Sequence, residues 1–468
     1  VILIRNQQHN FPSVPMSFLP PQVETDRAVS RNADCPCNSG LRYKHCCSLQ
    51  DNSAAQLSAR HQRKRHVGLM LQRRGDFARA IGTYDAILHE HREDWDVAHM
   101  RATCYYQLGA MDEARSVFAA LLVTPIAESA AYWTNLGLLL ASISTDQWSP
   151  SLRDKRDAYR RFRPDRPART MPLPNQLPTV SVVMPAYMHA HYVGEAIASV
   201  FAQTVAPLEF IVIDDGSSDT TVESCRMALR DAPFPVRFIG RESRGAAFTL
   251  NQGIELAEGE FIQLLNSDDR LPPQRIATML AVLLESNAEW GYARVAFVDQ
   301  NGLPLGPPAD ARATELMAAQ DAAMMSNTLG LAMLRANSAI SSGNLMFRKR
   351  LWRTLGGFHD HRYNHDWDFC LRATLHGEPV LVPHALYEYR IHGRNTITET
   401  ENVARAEQQR IMAAFVKYAH DHSTWPNPFA PTVENWGGEA LALLGATDVL
   451  RHLPRRVIAK ALSTKGLG

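Results

Sequence analysis

The chain has 468 residues, 45% of them hydrophobic and 21% charged, and its 49 Lys and Arg against 48 Asp and Glu give a net charge of +1. That is too long for one ordinary core and, at roughly 150 residues per domain, fits two to four; the even balance excludes a disordered chain and gives no bulk attraction to nucleic acid or an anionic surface. No stretch reaches the roughly 18 uninterrupted apolar residues of a membrane-spanning helix, and the opening VILIRNQQHN lacks the charged-then-apolar order of a signal peptide, so a cytoplasmic location is expected.

After a tail over residues 1–30, four of the seven cysteines fall close together, Cys35 and Cys37, then Cys46 and Cys47. Two close pairs flanking a short loop could bring four thiolates around one tetrahedral Zn²⁺, with the metal replacing a hydrophobic core. A disulfide pair is the alternative, but nothing else in the chain points to an oxidising compartment. The residues CPCNSGLRYKHCC resemble the SEC-C motif, a zinc-binding module, over residues 31–50. The resemblance puts Cys35, Cys37, Cys46 and Cys47 on its ligand positions. His45 could replace one sulfur or remain a loop histidine. Cys104, Cys225 and Cys370 sit singly in apolar segments and read as small buried hydrophobes rather than nucleophiles.

From 61 to 142 the pattern is helical and repeats. Gly75 and Gly109, Ala80 and Ala114, and Tyr84 and Phe118 are each 34 residues apart, which places small and aromatic residues where paired helices must pack. That period resembles tetratricopeptide repeats, with Trp133, Asn135, Leu136 and Gly137 in the first helix of a truncated third repeat that needs a neighbour to cover its last face. Such an array either docks a protein partner or serves as a helical spacer. The Arg-, Asp- and Pro-rich stretch at 143–178 reads as a linker.

In the next part apolar, β-branched runs at 180–184, 209–213, 236–239 and 260–265 alternate with amphipathic segments at 191–202, 219–230 and 246–257, the pattern of a mostly parallel sheet covered by helices. Ligands of such α/β domains bind beyond the carboxyl ends of the strands. Unusual residues stand there each time: Pro185, Ala186 and Tyr187; Asp214 and Asp215; and Asn266, Ser267, Asp268 and Asp269. Tyr187 could stack on a base, and Asp215 could accept a hydrogen bond from an imide N–H such as that of uracil. Asp268 and Asp269 are hard oxygen donors suited to a Mg²⁺ or Mn²⁺ ion bridging a diphosphate. The bland counterpart is that aspartates after a strand often cap the next helix, as Asp219 and Asp214 are placed to do.

The blocks VSVVMPAY, VIDDGSSDTT, LNQGIELAEGEFIQLLNSDD, SSGNLMFRKRLWRTLGGF, NHDWDFCLRA and YRIHGRNT resemble, in order and spacing, those of family 2 glycosyltransferases with the Rossmann-like GT-A fold, over residues 179–400. The resemblance implies an inverting enzyme that moves a hexosyl or N-acetylhexosaminyl group from a UDP-sugar to a hydroxyl of a glycan, a lipid-linked precursor or a protein. It puts Pro185, Tyr187 and Asp215 on the uridine, Arg244 near the diphosphate, and Asp268 and Asp269 in the metal-binding DXD element, where Asn266 replaces the first acid. It also makes Asp366 the general base, with His365 in place of the usual Glu and Asp368 as the rival base. His392 is then a candidate third metal ligand or a surface histidine, and Arg390 and Arg394 meet phosphate oxygens or stay in solvent. Acceptor contacts are expected from 303–342. A catalytically weak recruitment protein, using its repeats and zinc motif, is the alternative; a nucleotidyltransferase would need a Gly-rich, basic loop after the first strand, which MPAYMHAHYVG lacks.

Residues 401–468 begin with a helix and end with a basic, partly amphipathic segment. That segment either packs as an ordinary helix or touches the inner face of an anionic membrane.

Overall fold

The computed structural model describes residues 47–142, 177–306, 310–393, 401–422, 424–446 and 449–463. The expected zinc motif lies outside them, apart from the backbone of Cys47, as do Arg394 and all but the last two residues of the 143–178 segment. The described residues fall into two compact units, one ending at Glu90 and the other beginning at His91.

In the first unit α1 (Cys47–Arg73) and α2 (Phe77–Glu90) pack together as a hairpin. The small residue that lets them close up is Gly68, beneath the Tyr84 ring. Gly75 and Gly109 have a different job from the packing role expected of them: both adopt the left-handed conformation, at φ +80° and +83°, and end helices.

The second unit opens with α3 (Trp95–Leu108), α4 (Met111–Leu121) and α5 (Ala130–Ser142). The Asp94 carboxylate caps α3 by accepting the Val97 N–H at 3.1 Å. Phe118 and Tyr132 are buried between these helices, and the Tyr132 hydroxyl donates to the Phe118 carbonyl at 2.8 Å.

The sheet domain follows with β1 (Val180–Ala186), α6 (Val193–Phe201), β2 (Glu209–Asp214), α7 (Thr221–Ala228), β3 (Val236–Gly240), α8 (Ala246–Leu256) and β4 (Phe261–Leu264). These match the expected alternation to within a few residues. The chain continues through α9 (Arg275–Glu285), β5 (Trp290–Val298), β6 (Pro304–Leu305), α10 (Ala311–Met325), α11 (Leu329–Arg335), β7 (Met346–Arg348), α12 (Lys349–Leu355), α13 (His365–Thr374) and β8 (Val380–Arg390). The sheet order is β3-β2-β1-β4-β7-β5-β6, with β8 also pairing β5. β1, β2, β3 and β4 pair in parallel, whereas β7 runs antiparallel to both β4 and β5, so the sheet is mixed. β1 and β2 are covered on both faces, which accounts for their unbroken apolar runs, while β3 is a largely exposed edge carrying Arg237.

The C-terminal extension forms α14 (Glu401–Asp421), α15 (Val433–Trp436), α16 (Gly438–Ala446) and α17 (Arg455–Leu462). α16 packs on α5, so the incomplete repeat is covered by the neighbour it was expected to need. α17 packs on α4 and buries Val457, Ile458, Ala461 and Leu462. The apolar stripe that suggested membrane contact is thus a protein-facing one. No described helix is long and apolar enough to cross a membrane. Cys104, Cys225 and Cys370 are buried free thiols, as expected.

Where the parallel half of the sheet meets the antiparallel half, a charged side chain is wholly buried. Arg275, at the start of α9, donates through Nε to Gln263 Oε1 on β4 (3.0 Å), through Nη1 to Asn344 Oδ1 (2.7 Å) and through Nη2 to the Asn344 carbonyl (2.6 Å). The Asn344 amide donates in turn to the carbonyls of Ala293 on β5 (2.8 Å) and Ala339 (3.0 Å). Burial pulls the Arg275 pKa down to about 9, which still leaves it charged at neutral pH.

A buried cation stripped of its partners is worse than none. Asn344→Leu, which removes the side-chain acceptor of Nη1 while retaining the charge, should cost about 3–5 kcal/mol, and Arg275→Met, which removes the charge itself, about 1–3 kcal/mol. Denaturant unfolding of the two variants checks the order.

Candidate active site

β1 lies between β2 and β4, so the three strand ends singled out in the sequence converge on one edge. Pro185 and Ala186 close β1, and Tyr187 just beyond is 52% exposed, free to offer its ring face. Asp215 follows β2, with its N–H on the Ala186 carbonyl at 2.8 Å. Its carboxylate accepts the backbone N–H of Arg244 (2.9 Å) and of Gly245 (2.9 Å), the Ser243 hydroxyl (3.1 Å) and the Arg241 guanidinium (2.5 Å). Burial alone would raise its pKa, but these donors outweigh it and hold the group below the usual carboxylate range.

These four donors make Asp215 the anchor of the 241–245 turn that leads into α8. Its neighbour Asp214 is in register with Ala186. Asp214 Oδ2 accepts the N–H groups of Gly216 (3.1 Å) and Ser217 (3.0 Å), but Oδ1 is buried without a partner among the described residues. Arg244 is exposed, with its guanidinium 3.4 Å above the Phe248 ring. Asp219, expected to cap the next helix, stands one residue before the N-cap position Thr220 and accepts the Thr221 N–H at 3.0 Å.

Beyond β4, Asp268 is buried with His189 and His392, and one potential ligand atom from each lies within 4.8 Å of the others. His392 Nε2 is 3.1 Å and His189 Nε2 3.7 Å from Asp268 Oδ2. Ser267 pins the other nitrogen of His189, with Oγ 2.9 Å from Nδ1, and the Tyr192 ring lies 4.8 Å from that of His392. Burial opposes the charge on Asp268, but His189 and His392 keep its pKa below the ordinary value. Two imidazoles and a carboxylate, oriented by further side chains, fit a divalent ion with N/O preference. His392, expected as a third metal ligand or a surface histidine, is buried in this cluster. His189 was not anticipated, although a histidine three residues past a strand end was a visible signal.

Asp269, expected as a second metal ligand, is directed elsewhere: it accepts the Tyr387 hydroxyl at 2.5 Å and the Arg390 N–H at 2.8 Å. Burial, reinforced by the charge on Asp268, pushes its pKa well up. Asn266 is also structural, joined to Ser341 (2.8 Å) and Ser342 (3.0 Å). Gly343 stands between them because any Cβ there would run into the Tyr387 hydroxyl and the Asn266 N–H. Arg390, assigned to phosphate or solvent, is buried and donates to the Asp268 carbonyl (2.8 Å) and to Glu195 (2.8 Å).

Asp366 sits in the first turn of α13, buried, and accepts the Asn337 side-chain amide at 3.0 Å and the Trp367 N–H at 2.7 Å. Burial raises its pKa although His365 opposes the shift. Asp368, the rival base, is paired with Arg372, whose Nε and Nη2 both donate to Oδ2, at 2.9 and 2.7 Å. His365 has its Nδ1 buried without a partner among the described residues. The segment 336–345 joins the two halves of the site, touching Asp366 through Asn337 and the metal loop through Ser341 and Ser342. At its middle Ile340 has φ +72°, a strained conformation for a β-branched residue. Glu407 of α14, invisible to motif reading, accepts the N–H groups of Arg362 (3.0 Å), Tyr363 (2.9 Å) and Asn364 (2.9 Å) and so fixes the entry to α13.

Residues 181–350 match the sequence family Glycosyl transferase family 2, residues 71–124 a tetratricopeptide repeat, and residues 31–49 the SEC-C motif. The chain is 26% identical over 244 residues to an uncharacterised glycosyltransferase of Rickettsia typhi, spanning 51% of this chain and 72% of that one. It is 27% identical over 227 residues to the hyaluronan synthase of Pasteurella multocida, spanning 47% of this chain and only 21% of the synthase. Among solved structures it is similar to a mannosyltransferase from Pyrobaculum calidifontis in complex with GDP-Man and Mn²⁺, at TM-score 0.44 and 18% identity over 68% of this chain and 84% of that one.

The different partners of the adjacent acids give a direct contrast. Asp269→Ala leaves the Tyr387 hydroxyl and the Arg390 N–H without this acceptor in the interior and should lower stability by about 2–6 kcal/mol, about 1–3 for each group. Asp268→Ala takes the carboxylate from His392 Nε2, at 3.1 Å, and from the more distant His189 Nε2, but also removes a buried charge, and should cost less, as thermal melts of the metal-free protein would show.

Proposed function

We propose, from the premise that residues 181–350 are a glycosyltransferase family 2 domain, that the chain transfers a hexosyl or N-acetylhexosaminyl group from a UDP-sugar to an acceptor hydroxyl with inversion. The acceptor class is a glycan, a lipid-linked precursor or a protein. The observation that carries the reading is the division of labour across the 336–345 segment, with a two-histidine, one-carboxylate cluster on one side and a buried carboxylate of raised pKa on the other.

At the nucleotide end, Tyr187 offers a stacking face, and Asp215, just past the end of β2, is the acceptor for a base imide N–H. Arg244 stands at the mouth of the turn that Asp215 holds, available to diphosphate oxygens. His189, Asp268 and His392 would hold Mn²⁺ or Mg²⁺, and their imidazoles favour Mn²⁺. A divalent ion held by these residues would supply positive charge to offset that of the diphosphate leaving group. At the acceptor end, Asp366 takes the proton of the attacking hydroxyl; Asn337 and the Trp367 N–H aim its carboxylate, and burial makes it a stronger base. Asp269 is committed to the Tyr387 hydroxyl and the Arg390 N–H and so is not placed to act as a covalent nucleophile, which supports a single displacement. Cys35, Cys37, Cys46 and Cys47 would hold a structural Zn²⁺ separate from this chemistry.

Turnover is read as UDP release across a panel of UDP-sugars and acceptors. Asp366→Asn is expected to lower kcat by about 10²–10⁴ while leaving UDP affinity unchanged. The base works ionised and its pKa is raised, so kcat/KM should fall as pH drops through a midpoint above the ordinary ~3.9 of an aspartate. Undiminished turnover in Asp366→Asn, or a preference for GDP-sugars over UDP-sugars, would contradict the assignment of the base or of the donor respectively.

A further inference from the structure

A second cluster with the same ligand types lies outside this machinery. His359 and His361 precede α13, Asp368 lies in its first turn, and one potential ligand atom from each falls within 4.8 Å of the others. His359 Nδ1 is 3.0 Å from Asp368 Oδ2, and His361 Nε2 is 3.8 Å from Asp368 Oδ1. The two rings are 6.2 Å apart and nearly perpendicular.

Charge balance does not call for this gathering, because Arg372 already pairs with Asp368 through Oδ2. Nor is it a chance meeting of mobile side chains. Asn251 grips both the N–H and the carbonyl of Phe358 at 2.8 Å, Glu407 grips the N–H groups of 362–364, and the His361 N–H closes on the His359 carbonyl at 2.9 Å. The segment is therefore held at both ends and turned in the middle, with both imidazoles presented to one carboxylate. His359 is 52% exposed and His361 28%, which leaves a path for an ion and its waters.

We propose that His359, His361 and Asp368 form a second metal site, selective for Zn²⁺ or a similar transition ion, that fastens the 357–364 segment to α13. Two neutral imidazoles and one carboxylate oxygen, at bonds of about 2.0–2.2 Å, leave the fourth tetrahedral position to water. The short adjustments needed are rotations of the two rings toward Oδ1, the oxygen that Arg372 leaves accessible. Asp366 is two residues before Asp368 on the same helix, so occupancy of this site stiffens the element that carries it. The site itself does not depend on the catalytic reading: it exists or not whatever the domain transfers.

The test is equilibrium dialysis of the full chain against Zn²⁺ with metal counted per chain. The His359→Ala/His361→Ala double variant should bind one equivalent fewer than the parent, while His189→Ala/His392→Ala should retain that equivalent. Sites elsewhere, including any at the four clustered cysteines, cancel in the comparison with the parent. In the unsubstituted protein, Zn²⁺ should shift the imidazole NMR signals of His359 and His361, an observation that does not require the variant to fold. Equal metal content in parent and double variant, or unshifted ring signals at saturating Zn²⁺, would overturn the proposal and leave an ordinary ion-pair cluster.

Discussion

The geometry of the site depends on one buried cation. Arg275 has no carboxylate partner among the contacts that satisfy it; its three bonds go to the side chains of Gln263 and Asn344 and to the Asn344 carbonyl. Such an arrangement tolerates no slippage, because its acceptors come from two different pieces of chain, β4 and the 336–345 segment. Gln263 stands three residues before the loop that carries Asp268, and Asn344 ends the segment that carries Asn337, Ser341 and Ser342. The joint where a parallel sheet turns antiparallel is thus also the reference point for both halves of the site.

Around that reference point, neighbouring acids are told apart by their partners. Asp268 faces two histidines and Asp269 faces a tyrosine and a backbone N–H. Asp214 keeps an unpartnered oxygen while Asp215 accepts from four donors, and Asp366 has a neutral amide where Asp368 has an arginine. The two members of each pair therefore meet different surroundings. Local position along the chain is nearly identical within a pair, so burial and hydrogen bonding alone produce the difference.

That is also why the sequence was legible to a point and no further. Strand and helix positions in the sheet domain followed from periodicity, since β1, β2 and β4 are buried on both faces and say so in unbroken apolar runs. The convergence of three strand ends followed from the parallel order. Which of two adjacent aspartates does the work depends on which side of the strand end faces Tyr387, Arg390 or His392, residues more than a hundred positions away. His189 lay in plain view but lacked a motif, and Glu407 acts on a segment over forty residues upstream through backbone N–H groups that no pattern records. The membrane-like stripe of α17 was read correctly as amphipathic; only the structure supplies what it packs on.

The claim on which the functional account rests is that His189, Asp268 and His392 form one metal-dependent nucleotide site. Calorimetric titration of UDP into the parent protein and into His189→Ala, each with and without Mn²⁺, tests it most directly. The account predicts that Mn²⁺ strengthens UDP binding to the parent by at least about tenfold, ~1.4 kcal/mol, and that His189→Ala loses most of that gain. UDP affinity that ignores Mn²⁺, or a Mn²⁺ effect that His189→Ala leaves intact, would contradict it.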